Sequence, residues 1–133
     1  MIARYTRPQM GRIWTDENRF RKCLDVEIAT AEVEADAKLI PRSAARDIKR
    51  KSVINIERIR EIEKEVKHDI VAFTTSIAEH VGPSARYLHY GLTSYDVVDT
   101  ALALMVRDAS RLIKIGLQGL GKVLRKRAFE FKN

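Results

Sequence analysis

Cysteine is nearly missing from this chain. Its single thiol, Cys23, has no second cysteine for an intrachain disulfide and rules out a Cys-rich zinc site. Histidine is scarce too, at three residues, and neither HxxxH nor HExxH spacing occurs, so no metal is expected. The six glycines form neither GxGxxG nor a phosphate loop. Three prolines are few for a chain full of turns. No apolar run approaches the roughly 18–20 residues of a membrane span, and mean hydropathy is −0.27. The opening MIARYTRPQM carries charge with no apolar stretch behind it, which argues against a secretory signal. A soluble, cytoplasmic protein with no membrane partner is the expectation.

The chain has 133 residues, 45% of them apolar, enough for one domain or one piece of a larger one. Lys plus Arg exceed Asp plus Glu by seven. Residues 107–133 hold eight basic and two acidic side chains, so nearly all of the excess lies at the C-terminal end. That segment, with Lys122 and RKRAFEFK, can touch nucleic acid or be a solvated helix face. It lacks helix-turn-helix spacing and stacking aromatics, so the solvated face is preferred and no nucleic-acid partner is expected.

The pattern is all-α. Pro8 can open a short turn of helix through Trp14. Thr15 is a good N-cap, with Asp16 and Glu17 in the first turn, where the helix dipole favours negative charge. Phe20, Leu24, Ile28 and Ala31 then draw one apolar stripe on a helix of about 22 residues ending near Leu39. Pro41 stops it. Ser43 can cap a short helix through about Lys51, and Asn55 another carrying Ile56, Ile59 and Ile62. Lys67-His68-Asp69 interrupts the pattern before the apolar IVAFTTSIAEHV, which Gly82-Pro83 ends. Residues 84–93 read as a loop or short turn with a glycine bend. From Ser94 a last helix runs through Val98, Ala101, Met105, Leu112, Leu117, Leu120 and Leu124, with no proline or cap before residue 133. The apolar pattern is unfinished there, and a truncated chain is the expectation. So broad an apolar face calls for other helices around it.

Three clusters can carry chemistry. Arg4-Tyr5, a cation and a phenol ahead of any helix, can hold a phosphate; a frayed terminus is the plainer alternative. In Lys67-His68-Asp69, His68 can move a proton near neutral pH and Lys67 can hold a carboxylate. Asp69 can cap the next helix or orient His68; ordinary capping chemistry explains the same residues. Thr74, Thr75 and Ser76 place three hydroxyls in an otherwise buried segment, needing partners or bonding back to their own helix. In His89-Tyr90-Gly91-Leu92-Thr93-Ser94-Tyr95-Asp96, Thr93 and Ser94 open the long helix. Free N–H groups, hydroxyls and the positive dipole end make an anion site, or a simple Ser/Thr cap. His80 reads as a dipole partner at a helix end, and Cys23 as packing.

Taken together, RYTRPQMGRIWTDENRFRKCLDVEIATAEVEA and EKEVKHDIVAFTTSIAEHVGPSARYLHYGLTSYDVVDTALAL resemble the N-terminal part of the adenylosuccinate lyases, with KHDIVAF and HYGLTSYDVVDTA the most specific stretches. These are the purine-synthesis family of the fumarase/aspartase superfamily, and the resemblance covers essentially the whole chain. It implies an N-terminal helical domain over 1–93 and, over 94–133, the first part of a long helix of a central bundle that joins a homotetramer. It also implies β-elimination of fumarate from a purine nucleotide substrate, without a cofactor. Arg4 and Tyr5 look like the phosphate contacts. Lys67, His68 and Asp69 look like the stretch lining the substrate, and Thr93 and Ser94 like the hydroxyls that hold a carboxylate. His89 looks like an assisting binding residue. The family's catalytic histidine and its serine-bearing loop fall beyond residue 133, and its site draws on three subunits. No catalytic residue is therefore expected within 1–133, with His68 the candidate for an assisting acid. An argininosuccinate-type lyase and a non-catalytic basic helical module remain as alternatives.

Overall fold

The computed structural model describes residues 2–132, and among them no strand forms. A 3-10 turn at Ala3–Tyr5 leads into α1 (Pro8–Ile13), α2 (Asp16–Asp36), α3 (Arg42–Lys51), α4 (Ile56–Val66) and α5 (Asp69–Val81). A second 3-10 segment, Gly82–Tyr87, precedes α6 (Ser94–Glu130). The all-α expectation holds.

Thr15 caps α2, its hydroxyl oxygen accepting from the Asn18 N–H at 3.2 Å. The buried line of α2 runs through Phe20, Cys23, Glu27, Ala31 and Ala35. It is turned by about one residue from the expected stripe, and Leu24 and Ile28 flank it half-buried. The helix ends at Asp36 rather than near Leu39. Lys38 adopts a left-handed conformation, φ 62°, its N–H donating to the Ala35 carbonyl at 3.2 Å. The Leu39 N–H reaches back to Glu34 at 2.9 Å, completing a closure that glycine usually makes.

The cap of α3 is also not the expected one. Pro41 occupies that position with extended backbone, so Ser43 lies within the first turn. Asn55 does cap α4, Oδ1 accepting from the Arg58 N–H at 3.1 Å. Gly82, φ 73°, ends α5 ahead of Pro83. The stretch expected to be a loop or short turn opens with the 3-10 segment to Tyr87, tied down where the Ser84 hydroxyl donates to Asp47 at 2.8 Å.

The core gathers Phe20 from α2, Ile48 from α3, Ile59 from α4, Ile70, Phe73 and Ile77 from α5, and Val97 from α6. Each such side chain contributes roughly 1.5–3 kcal/mol on burial. The Phe20 and Phe73 rings stack with centroids 5.5 Å apart. Helix α6 buries Val97, Ala101, Met105 and Ala109, spaced by four along one face against the rest of the chain. A Lys22–Asp108 ion pair at 3.1 Å fastens it to α2. Beyond residue 112 every described residue of α6 is exposed, including Ile113, Leu117, Leu120 and Leu124.

Candidate functional site

The Lys67–Asp69 junction turns sharply between α4 and α5. Lys67 closes α4 in the left-handed conformation, φ 56°, its N–H donating to the Glu63 carbonyl at 2.9 Å. His68 is itself the N-cap of α5, its Nδ1 accepting from the Val71 N–H at 3.4 Å. Asp69 is the first helical residue, not the cap. Its Oδ1 accepts from the Ile70 N–H at 2.8 Å, and its Oδ2 lies 3.3 Å from Arg19 Nη1. With Nδ1 accepting, the His68 proton sits on Nε2, which lies 3.5 Å from Ser94 Oγ. The second and third clusters, 26 residues apart in sequence, thus meet where two helices begin.

At the start of α6 the two hydroxyls differ. The Asp96 carboxylate accepts from the Thr93 N–H at 2.7 Å and from the Thr93 hydroxyl at 2.9 Å. Those bonds hold the Asp96 carboxyl below the usual range, with the Thr93 backbone the larger cause. The expected anion site is therefore narrower than drawn, since Asp96 already engages Thr93. Ser94 is the open one: with His68 Nε2–H on its oxygen, its own proton is available to an incoming anion. The N–H groups of Ser94 and Tyr95 have no backbone partner among the described residues.

His89 sits in the turn before α6 with φ 60°, followed by Gly91 at φ 70°. It meets a residue that was not singled out in the sequence. Glu27 of α2 is 2% exposed and places both oxygens on His89. Oε2 accepts from the His89 N–H at 2.9 Å, and Oε1 is 2.6 Å from Nδ1. The signal was its spacing: Glu27 lies four residues from both Cys23 and Ala31, on the buried face. Seven residues on, Glu34 has one carboxylate oxygen buried without a partner. Burial first, then the nearby Glu27, raises its carboxyl above the ordinary value.

Arg4 and Tyr5 are elsewhere. The Arg4 guanidinium stacks over the exposed Tyr5 ring at 4.8 Å. Tyr5 borders an open cleft with Met10, Leu112, Gly116 and Leu120, alongside the middle of α6. Leu112 is 18 residues past Ser94, about 27 Å along the helix. One chain therefore does not bring the first cluster to the other two.

Among the three hydroxyls of α5, Thr74 donates to the Ile70 carbonyl at 3.0 Å, Thr75 is exposed, and Ser76 alone is fully buried, its hydroxyl without a partner. The expectation of three buried hydroxyls thus holds for one. Cys23 is buried and its thiol is pushed up to about 11, chiefly by burial, an inert packing residue. His80 is exposed in the last turn of α5. Among the described residues no cluster of three metal-ligating side chains forms, and no helix is long and apolar enough to cross a membrane.

The chain is homologous to adenylosuccinate lyases. It is 46% identical to the one from Aquifex aeolicus, 42% to that of Bacillus subtilis and 48% to that of Synechocystis, with 96–100% of this chain aligned. It spans about 30% of the length of these relatives. Among solved structures it resembles a fumarate lyase from Mesorhizobium (TM-score 0.85, 29% identity, covering 91% of this chain and 29% of that one). It also resembles the 3-carboxy-cis,cis-muconate lactonizing enzyme of Pseudomonas putida (TM-score 0.84, 30% identity, 95% and 30%). A family model described as Lyase matches residues 3–133, and the chain belongs to that lyase family.

Proposed function

We propose that these residues are the N-terminal part of a lyase that converts adenylosuccinate to AMP and fumarate, and the succinyl-carboxamide ribotide of purine biosynthesis to the carboxamide ribotide. The observation that carries this reading is the meeting of His68 Nε2 and Ser94 Oγ at the starts of α5 and α6. Two helix N-termini, an available hydroxyl and an imidazole suit a dicarboxylate. In the reaction a base takes the proton from the succinyl carbon beside a carboxylate, and its charge spreads into that carboxylate. The C–N bond then breaks, an acid returns a proton to the nitrogen, and fumarate forms.

In this reading Ser94, whose proton is free, holds the carboxylate whose charge rises in the transition state, while Thr93, named with it from the sequence, stands beside it with both donors on Asp96. His68, Lys67 and Asp69 line the reacting part, and His68 is a candidate assisting acid. His89 assists binding, and Arg4 and Tyr5 hold the phosphate. The separation of the Tyr5 cleft from Ser94 along α6 supports a site shared between copies, and the assembly in this reading is a homotetramer. Residues 1–93 then form the N-terminal domain and 94–133 the first part of a bundle helix, with Met1 and Asn133 outside the described residues. The reaction uses no cofactor and belongs in the cytoplasm.

The test is fumarate release by the full-length gene product, offered adenylosuccinate and argininosuccinate in parallel. Turnover of adenylosuccinate alone is the expected result. Turnover of argininosuccinate alone transfers the site to another lyase of the superfamily, and no turnover of either overturns the reading.

A further inference from the structure

Among the described residues Glu27 is the one acidic side chain in the buried core, and both its oxygens are committed to a single residue in a loop 62 positions away. A buried carboxylate is costly unless it is paired and hydrogen-bonded. Here the pairing is a two-point clamp. One oxygen fixes the backbone of His89, which is held at φ 60°, a conformation a β-carbon disfavours. The other faces Nδ1 at 2.6 Å and so fixes the rotation of the ring. An ionised carboxylate only accepts, so Nδ1 carries the proton toward Glu27. Nε2, across the ring from Nδ1, makes no hydrogen bond among the described residues.

We propose that Glu27 is a positioning residue: from α2 it sets the tautomer and orientation of His89, so that Nε2 is presented to the substrate at the start of α6. This rests on the lyase reading of the site. Glu27 touches no substrate and acts through the imidazole, as a carboxylate does behind a metal-bound histidine.

The test is a double-mutant cycle in the full-length enzyme, reading kcat/KM for adenylosuccinate and the thermal midpoint. Glu27→Gln keeps the shape, but offers one acceptor and one NH2 where His89 presents two donors. The expected loss in kcat/KM is about tenfold to a hundredfold, and in the His89→Ala background the same substitution costs nothing further. A merely structural glutamate lowers the thermal midpoint and adds its full cost in both backgrounds. That result, or Glu27→Gln within twofold of wild type, overturns the proposal and leaves the lyase reading standing. Should Glu27→Gln fail to fold, Glu27→Asp keeps the charge, retracts it by one methylene, and is read in the same cycle with the same two outcomes. A wild-type enzyme that releases no fumarate removes the lyase reading, and the proposal with it.

Discussion

Ser94 and Thr93 are adjacent hydroxyls with different tasks. Thr93 is engaged by Asp96, whereas Ser94 has His68 on its oxygen and its proton free. Ser94→Ala in the full-length enzyme should therefore lower kcat/KM by one to two orders of magnitude, since a hydrogen bond to a charged group contributes about 1.5–3 kcal/mol. Steady-state kinetics on adenylosuccinate checks it. Glu34 makes a prediction of opposite character. Its carboxyl is raised by burial and then by Glu27, so folding favours its protonated form. The stability it contributes is present below the unfolded pKa and lost as pH rises through the raised one. Glu34→Gln should resist denaturant better than wild type at neutral pH, with the difference gone below about pH 4. Urea midpoints across pH measure this. At this scale the sequence disclosed His68, Ser94 and His89 by residue type and position. It concealed Glu27, because a glutamate on an amphipathic helix reads as solvent-facing and its partner is 62 residues away. It also concealed His68 as a cap, since an imidazole seldom takes that role.

Helix starts and stops account for most of what the elements do. Caps that use a small polar side chain, Thr15 and Asn55, were legible because their chemistry is local. The end of α2 was not. Lysine at 38 gives no sign of a left-handed turn that glycine would announce, and α4 ends on another such lysine, Lys67. The two make a matched pair for experiment. Lys38→Gly should raise stability by up to about 1 kcal/mol by relieving the strain of a β-carbon at positive φ. Lys67→Gly should give a similar gain and at the same time raise KM, because the proposed site loses an ammonium. Unfolding midpoints and KM, measured on both variants of the full-length enzyme, separate the two effects. Equal KM values would remove Lys67 from the site.

For the whole molecule, the packed domain and the second half of α6 differ. Ile113, Leu117, Leu120 and Leu124 follow one another by four, three and four, the seam of a helix that packs on other helices, and all four are exposed. An apolar stripe of that extent rarely stays in water. The 133-residue chain should self-associate in sedimentation experiments, and replacing these four residues with Ser should return it to a monomer. The helical class and the breadth of this face were readable from periodicity. The turning of α2 by one residue was not, because it depends on which helices meet it.

Helix α6 runs from Ser94 to Glu130 without a break, passing the start of α5 at one end and the Tyr5 cleft further along. It is therefore a ruler as well as a scaffold. Each residue added between 95 and 111 advances the far end by about 1.5 Å and rotates it by about 100°. A seven-residue deletion shortens the span by about 10 Å yet leaves the apolar seam nearly in phase, whereas removing one residue turns the seam away from its neighbours. Deletions of seven or eleven residues should therefore be tolerated better than a deletion of one or two.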